Sequence, residues 1–196
     1  MLTIVWDVDD VLNNLMHSWF SAVWKPQNKK SILEFSGITE NPPHKLLGIA
    51  KREYLESLDA FRLSKDAGDM KPNPEILRWF AKHGKKYNHI ALTARPAKTI
   101  PPSAEWVFRY FGAWIRTFAF VPSKRENGSL REHFKTKKEY LDWFGKADIF
   151  VDDSPENIRA AKSLGIKTVL IPQPWNNSKL TLKELLDLLN DMCRKI

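Results

Sequence analysis

Two pairs of aspartates, each at the end of a short apolar run, are the residues of this sequence best suited to chemistry. Asp7 and Asp9 follow residues 4–6 in TIVWDVDDVL, and Asp152 and Asp153 end the segment ADIFVDD. Residues i and i+2 of an extended chain face the same side, so Asp7 and Asp9 should project together. In open α/β sheets, ligands bind outside the carboxyl ends of the strands. We therefore expect all four carboxylates to form the floor of one site.

Carboxylates gathered at one edge of a sheet repel one another, and this repulsion predicts a metal ion. Two unit charges about 4 Å apart cost roughly 4 kcal/mol at an effective dielectric near 20. A cation must therefore lie among them, or some must be protonated. The ligands are hard oxygens, and the five histidines show no ligand spacing, which favours Mg²⁺ over zinc or copper. A magnesium site in a basic protein suggests phosphoryl chemistry.

A phosphate bound beside such a site needs groups that neutralise its oxygens, and two segments offer them. Thr93 ends the run HIALT and precedes Ala94, so its hydroxyl and the following backbone N–H groups could hold a phosphate. Lys137 lies at the start of a predicted helix over 136–145, whose expected N-cap is Thr136, and could bring an ammonium and a helix N-terminus to the same place. Its rivals for this role are Lys135, Lys138 and Lys124.

Short apolar runs separated by helical stretches predict an α/β fold, a Rossmann-like parallel sheet flanked by helices. The clearest helix has Ser154 as its N-cap, Pro155 at its first position and Gly165 at its C-terminal cap. The C-terminal LTLKELLDLLNDM is amphipathic and should pack on the sheet. The predicted strands cover residues 3–7, 89–93, 116–121, 148–152 and 167–171, and further helices cover residues 13–24, 73–84 and 136–145.

Residues 25–72 interrupt the α/β pattern and predict a small inserted lid. This stretch contains four prolines, one helix signal near 44–58 and no strand signal. It is too long for a plain connection. The predicted organisation is therefore a catalytic core of residues 1–24 and 73–196, with a helical cap of residues 25–72 inserted after the first strand.

Composition narrows the class of protein. The 196 residues are 43% hydrophobic and 28% charged, which suits a globular domain. No apolar run approaches the roughly 18 residues of a membrane span, and the N-terminal run is too short for a signal peptide, so we expect a soluble cytoplasmic protein. The net charge of +8 favours anionic partners. Cys193 is expected to be an inert thiol.

The motifs DVDDVL, LTARP, a following lysine and IFVDD, in that order, resemble the four motifs of the haloacid dehalogenase superfamily. The resemblance implies a phosphatase in which Asp7 is the nucleophile that forms an aspartyl-phosphate and Asp9 is the general acid and base. Asp10 stands where many members have glycine. The resemblance further implies that Thr93 and a lysine, best matched by Lys137, hold the phosphoryl group, and that Mg²⁺ is bound by Asp7, the Asp9 backbone carbonyl and the Asp152/Asp153 pair.

Which of Asp152 and Asp153 binds the metal directly is left open. So is the substrate, which we expect to be a small phosphorylated metabolite. The lid segment AFRLSK, whose Arg62 is a candidate contact, and a looser resemblance to the 5'(3')-deoxyribonucleotidase-like branch favour a nucleoside monophosphate. Arg52, Phe61 and Lys65 are further lid candidates, although packing or surface roles explain them better. Trp175 and Asn176 follow the last strand and could equally line the pocket or form a structural turn.

Other functions compete with this hypothesis. A sugar-phosphate phosphatase of the same fold is one, and a non-catalytic phosphate-binding protein is another. A nucleic-acid-binding module is disfavoured because no element interleaves basic and aromatic residues. A receiver-type phosphoacceptor is disfavoured because its acid pair precedes its phosphoacceptor aspartate, whereas DVD comes first here. The sequence indicates neither membrane binding nor an oligomeric state.

Overall fold

A computed structural model describes residues 1–123 and 133–194 of the chain. Within these residues five strands form one sheet in the order β3-β2-β1-β4-β5, and every neighbouring pair is parallel. The predicted α/β fold with a parallel sheet is confirmed. The strands are β1 (Thr3–Trp6), β2 (Asn88–Arg95), β3 (Ile115–Pro122), β4 (Ile149–Asp152) and β5 (Lys167–Leu170).

Strand β2 is longer than the strand predicted at residues 89–93. It was expected to end at Thr93, but its pairing with β3 continues as far as Arg95, which lies opposite Pro122. Thr93 is therefore inside the strand, one residue before the exposed Ala94. The extension matters because it carries the Arg95 side chain towards the carboxyl edge of the sheet.

Helices cover both faces of the sheet, and local capping explains where several begin. The Thr136 hydroxyl accepts a hydrogen bond from the Glu139 N–H, and the Ser154 hydroxyl accepts one from the Asn157 N–H, as the sequence predicts. The helices are α1 (Leu15–Trp19), α2 (Lys25–Gln27), α3 (Lys51–Arg62), α4 (Lys65–Asp69), α5 (Pro74–His83), α6 (Ile100–Phe111), α7 (Lys137–Phe144), α8 (Pro155–Lys162) and α9 (Leu182–Arg194).

Two predicted helices differ from those observed, and the end of a third agrees. The lid helix runs over Lys51–Arg62 and not near 44–58, because Gly48 has a φ of +66° and Ala50 is extended, which stops a helix from forming earlier. A π-helical turn over Phe20–Trp24 joins α1 to α2, so the predicted helix at 13–24 is neither regular nor confined to those residues. The predicted cap of α8 at Gly165 is confirmed, because Gly165 has a φ of +77°, its N–H donates to the Lys162 carbonyl, and the Ile166 N–H donates to the Ala161 carbonyl.

Alternate residues of the central strand pack against opposite helical layers. Ile4 and Trp6 of β1 face a cluster formed with α5, α6 and α9, whereas Val5 faces a cluster formed with α7 and α8. Leu186 and Leu189 bring α9 into the first cluster, which confirms that the C-terminal helix packs on the core. With both faces of the sheet covered, the polar ends of its strands define where a site can form.

A separate hydrophobic cluster lies beyond the carboxyl edge of the sheet. Trp19 and Phe20, assigned to the core by sequence, pack there with the lid residues Tyr54, Leu58 and Phe61. The predicted boundary between residues 24 and 25 therefore cuts through one packed cluster. The division at 25–72 stays a prediction. Below, the cap means residues 25–72 together with the side chains of this cluster.

No helix in the described part of the chain is long and apolar enough to cross a membrane.

The first sheet layer contains one buried histidine whose tautomer is fixed by its neighbours. The Trp6 indole donates a hydrogen bond of 3.0 Å to Nδ1 of His89, so Nε2 carries the proton and donates to the Gly84 carbonyl at 2.9 Å. Burial lowers the pKa of His89 from 6.5 to about 4. A second proton on the ring would face the indole N–H and lose this hydrogen bond.

We predict that His89 makes the fold sensitive to mild acid. His89 takes up a proton near pH 6.5 in the unfolded chain but only near pH 4 in the folded chain. The free energy of unfolding therefore has its full value above pH 6.5 and decreases as the pH falls to about 4. The loss should reach about 3 kcal/mol. Urea unfolding at pH 7 and pH 4 measures it. His89→Gln keeps an acceptor and a donor but does not titrate, and an equal loss in both proteins would contradict the prediction.

Candidate active site

The first aspartate pair lies where the chain leaves β1 through a turn over Val8–Leu12, within which the backbone of Asp9 and Asp10 is not helical. The Asp7 carboxylate accepts a hydrogen bond of 2.7 Å from the Val8 N–H, which fixes it at the start of this turn. Asn13 holds the other end, because its side-chain oxygen accepts from the Asp10 N–H at 3.1 Å. The turn places Asp7, Asp9 and Asp10 at the lining of one cavity.

Lys137 joins the two aspartate pairs. Its ammonium lies 2.7 Å from Asp7 Oδ1 and 2.8 Å from Asp152 Oδ2, and its side chain is 4% exposed. Burial alone would lower the pKa of Lys137, but the two carboxylates raise it further than burial lowers it, so the ammonium stays charged. The structure thus places Lys137 in the site. Lys135 and Lys138 are exposed, and Lys124 lies outside the described residues.

The two aspartates of the second pair differ in their hydrogen-bond partners. Asp152 is fully buried, and both its oxygens accept hydrogen bonds: Oδ1 from the Ser154 N–H, Oδ2 from Lys137, and each from the Asn157 amide. Asp153 accepts a hydrogen bond of 2.7 Å from the Trp175 indole. Asp152 is therefore held firmly as a partner of Lys137, while Asp153 has fewer donors around it among the described residues.

Three carboxylates are placed to hold a metal ion. Asp7, Asp152 and Asp153 each offer one oxygen, and these oxygens lie within 4.8 Å of one another. Burial raises the pKa of Asp7 to about 7 against the attraction of Lys137, and burial followed by the charge of Asp152 raises that of Asp153 well above its usual range. One ammonium among three carboxylates leaves an excess of negative charge, which a divalent cation would neutralise.

Asp9 belongs to a different arrangement. Its Oδ2 lies 3.0 Å from Arg62 of the cap, and its Oδ1 is paired with Arg95 at the end of β2. Arg62 also lies 3.0 Å from Asp59, its neighbour on α3. Burial would raise the pKa of Asp9, but Arg95 and Arg62 lower it more, so the carboxyl is held ionised. This group, Asp9 with Arg62, Arg95 and Asp59, is called the arginine clamp below.

Asp10 occupies the position where the chain needs a left-handed residue. Its φ is +60°, a conformation that favours glycine, although aspartate tolerates it better than most residues. Its carboxylate accepts a hydrogen bond of 2.8 Å from the Met16 N–H. Burial, and then the charge of Asp9, raise the pKa of Asp10 to about 8. Asp10 therefore supports the turn, and the Asp7–Asp152–Asp153 cluster does not include it.

A cavity of about 270 Å³ lies over these groups. Thr93, Ala94 and Lys137 line it, so the three residues expected to bind phosphate are brought together beside Asp7. The cap closes the cavity from the other side with Tyr54, Leu58 and Arg62. Of the other lid candidates, Phe61 packs inside the cap, and Arg52 and Lys65 are exposed.

The loop after β5 donates side-chain hydrogen bonds to both aspartate turns. Trp175 lines the cavity and bonds Asp153, Asn176 donates to the Asp153 carbonyl at 2.7 Å, and Gln173 donates to the Asp10 carbonyl at 2.7 Å. Trp175 is thus a lining residue and Asn176 a structural one. Each of the two aspartate turns receives a side chain from this one loop.

Sequence reasoning missed several site residues. Arg95 was present in the motif LTARP, and its place directly after the phosphate-binding threonine was the available signal. Asn157 follows the second aspartate pair by one helical turn, a spacing that could have suggested a contact with Asp152. Asp59 and Gln173 carry no such local signal, because only the tertiary fold brings them to the site.

Comparisons with known proteins identify the fold through structure and not through sequence. No protein-family model matches the chain, and no curated protein matches it. Many solved structures do match. A haloacid dehalogenase-like hydrolase from Streptococcus pneumoniae is 14% identical with a TM-score of 0.58, over 95% of this chain and 90% of that one.

Two further structures agree. A HAD-superfamily hydrolase of subfamily IA from Geobacter sulfurreducens is 17% identical with a TM-score of 0.53, over 96% of this chain and 99% of that one. The HAD hydrolase YfnB from Bacillus subtilis, solved bound to magnesium, is 12% identical with a TM-score of 0.58, over 96% of this chain and 98% of that one. The expected fold is confirmed: this chain has the fold of the haloacid dehalogenase superfamily hydrolases.

Proposed function

We propose that this protein is a magnesium-dependent phosphomonoester hydrolase that acts on a small soluble phosphate ester. The observation that carries the proposal is the cluster of Asp7, Asp152 and Asp153 around the Lys137 ammonium, at the floor of a cavity that Thr93 also lines. A nucleophile, a charge-neutralising lysine and a carboxylate cluster are what transfer of a phosphoryl group to an aspartate requires.

Asp7 is the proposed nucleophile. One carboxylate oxygen forms a bond to phosphorus while the bond between phosphorus and the leaving oxygen breaks, which gives an aspartyl-phosphate and an alcohol. Lys137, 2.7 Å from Asp7, would screen the repulsion between the carboxylate and the phosphate oxygens. The Thr93 hydroxyl and the Ala94 N–H would bind those oxygens. Water then attacks phosphorus and frees Asp7.

Asp9 is the proposed general acid and base. The arginine clamp holds its carboxylate ionised, which suits the base that takes a proton from water in the second step. Donating a proton to the leaving oxygen in the first step requires a protonated Asp9. Arg62 belongs to the cap, so its movement towards a bound substrate would release one oxygen of Asp9 for this role.

The carboxylate cluster fits a magnesium ion. The donors are hard oxygens, and the described residues bring no histidine or thiol into the cluster. Burial raises the pKa values of Asp7 and Asp153, and a bound cation would stabilise their charged forms. We assign direct contact to Asp7 and Asp153 and, as the sequence resemblance implies, to the backbone carbonyl of Asp9. Asp152 acts mainly through Lys137. A bound Mg²⁺ would neutralise charge on the phosphate oxygens.

The cap makes a small metabolite the best supported substrate. The cavity of about 270 Å³ would hold a phosphate group, and a cap that covers it would exclude water during transfer. A nucleotide is the proposed substrate because the half-buried Trp175 lines this cavity and offers aromatic surface to a base. Sugar phosphates are the alternative that a substrate screen must include.

The first test concerns the nucleophile. Asp7→Asn should lower the release of phosphate from an aryl phosphate on the order of 10³-fold or more, because an amide cannot form the phosphoenzyme. Turnover is measured with Mg²⁺ and with a chelator, which should abolish it in the wild type. Thermal unfolding serves as the control for folding. Wild-type turnover in Asp7→Asn would refute the assignment.

A second test separates the two aspartates at the end of β4. Asp153→Asn should weaken Mg²⁺ binding at least about tenfold, because it removes a proposed ligand. Asp152→Asn should weaken binding less and should mainly lower thermal stability, because it leaves Lys137 with one of its two carboxylates. Calorimetric titration with Mg²⁺ measures binding without turnover. The assignment is reversed if Asp152→Asn loses more affinity than Asp153→Asn.

A third test addresses Asp9. Asp9→Asn should lower the rate of turnover about 10²-fold or more while leaving Mg²⁺ affinity nearly unchanged, because its side chain lies outside the carboxylate cluster. The matched control is Asp10→Asn, which keeps an acceptor for the Met16 N–H and tolerates the left-handed backbone. If Asp10→Asn lost as much activity as Asp9→Asn, the acid and base role would not belong to Asp9 alone.

A further inference from the structure

A second, larger cavity opens from the active site between the cap and the core. Its volume is about 520 Å³, against about 270 Å³ for the inner cavity. The two share several lining residues, among them Tyr54, Leu58, Arg62 and Lys137, so they lie side by side. We call the larger one the outer groove. A phosphate held at Asp7 would extend its leaving group into this groove.

The outer groove is lined by more cations than anions. Lys51 of the cap and Lys135 and Lys138 of the core stand along it, and Glu156 is its one carboxylate among the described lining residues. The three lysines are exposed and form no ion pair with a carboxylate of the described residues. Glu156 already interacts with another group. The groove is therefore suited to an anion.

The start of α7 strengthens this potential. Lys137 and Lys138 occupy its first turn, where the helix dipole is positive and a lysine is less favourable than an acidic residue. Lys137 is neutralised by Asp7 and Asp152. Lys138 has no such partner among the described residues, so helix stability does not explain it.

Arg62 supplies an independent sign of a ligand at the junction of the two cavities. Its side chain is 8% exposed, yet its Nε has no hydrogen-bond partner among the described residues. Two of its nitrogens bind Asp9 and Asp59, and the residue lines both cavities, although Nε itself is buried just behind their surface. A buried donor without a partner is costly, and an anionic ligand at this junction would satisfy it.

We propose that the substrate carries a second phosphate on its leaving group, bound in the outer groove by Lys51 and Lys138 with Arg62 at the junction. This inference rests on the proposed hydrolase function and specifies its substrate class. The partly exposed residues Pro42, Leu55 and Pro122 give the groove an apolar wall for the organic part that joins the two phosphates. The preferred substrate is thus an organic bisphosphate, of which one phosphate is hydrolysed and the other is held.

Matched pairs of compounds test the proposal. Phosphate release and calorimetric binding are compared for adenosine 5'-monophosphate and adenosine 3',5'-bisphosphate, and for fructose 6-phosphate and fructose 1,6-bisphosphate. The bisphosphate should have a kcat/KM or an affinity about tenfold or more higher in at least one pair. The preference should shrink as ionic strength rises, because exposed lysines are screened. Equal values within both pairs would overturn the inference.

Variants locate the effect. Lys51→Gln combined with Lys138→Gln should reduce the preference for the bisphosphate about fivefold or more, since two charges of the groove are removed. Lys183→Gln, an exposed lysine of α9 that lines neither cavity, is the matched control and should keep the full preference. A preference that survives in the double variant would also overturn the inference.

Failure of the proposed function gives a different result. If the protein hydrolyses neither the aryl phosphate nor any of the four esters with Mg²⁺, the hydrolase proposal fails, and the calorimetric comparison still decides whether the groove binds a second phosphate. If the aryl phosphate is hydrolysed but neither pair shows a preference, the hydrolase proposal stands and the bisphosphate inference fails.

Discussion

The structure depends on the compensation of buried carboxylates at one edge of the sheet. Five aspartates lie in the two turns that follow the neighbouring strands β1 and β4. None is more than 15% exposed: Asp7, Asp9, Asp10, Asp152 and Asp153. Burying an ionised carboxylate without a partner costs several kcal/mol, so each must find a cation or a proton. Lys137, Arg62 and Arg95 are the cations, and their positions determine how the cap and the helices meet the sheet.

The compensation is divided between two systems with different consequences. Asp9 is balanced by the arginine clamp and stays ionised, whereas Lys137 balances only part of the charge of Asp7, Asp152 and Asp153. The second system is therefore the one that gains from a metal. The first links the cap to the core through a buried ion pair, and breaking such a pair from one side costs about 3–5 kcal/mol. Cap position and the state of Asp9 are coupled for this reason.

The sequence predicted those parts of the molecule that local signals encode. The strand ends that carry Asp7 and Asp152 follow from apolar runs, and the caps Thr136 and Ser154 follow from short-range hydrogen bonding. Lys137 could be ranked but not separated from its rivals, because its place depends on how α7 docks on the sheet. The arginine clamp was not predictable, since Arg62 and Asp9 are far apart in sequence and only the packing of the cap joins them. The lid helix was misplaced because Gly48 acts through its backbone conformation rather than through a hydrophobic pattern.

Three departures from local stability rules lie at this same edge. Asp10 holds a left-handed conformation that glycine adopts at lower cost, Lys138 stands at the positive end of a helix, and Arg62 buries a donor without a partner among the described residues. In the first sheet layer, by contrast, the ring of the buried His89 is satisfied on both nitrogens by Trp6 and Gly84. A fold tolerates several such local costs in one place when the groups concerned serve a ligand. These costs all adjoin the two cavities, which ties them to binding and not to the stability of the sheet.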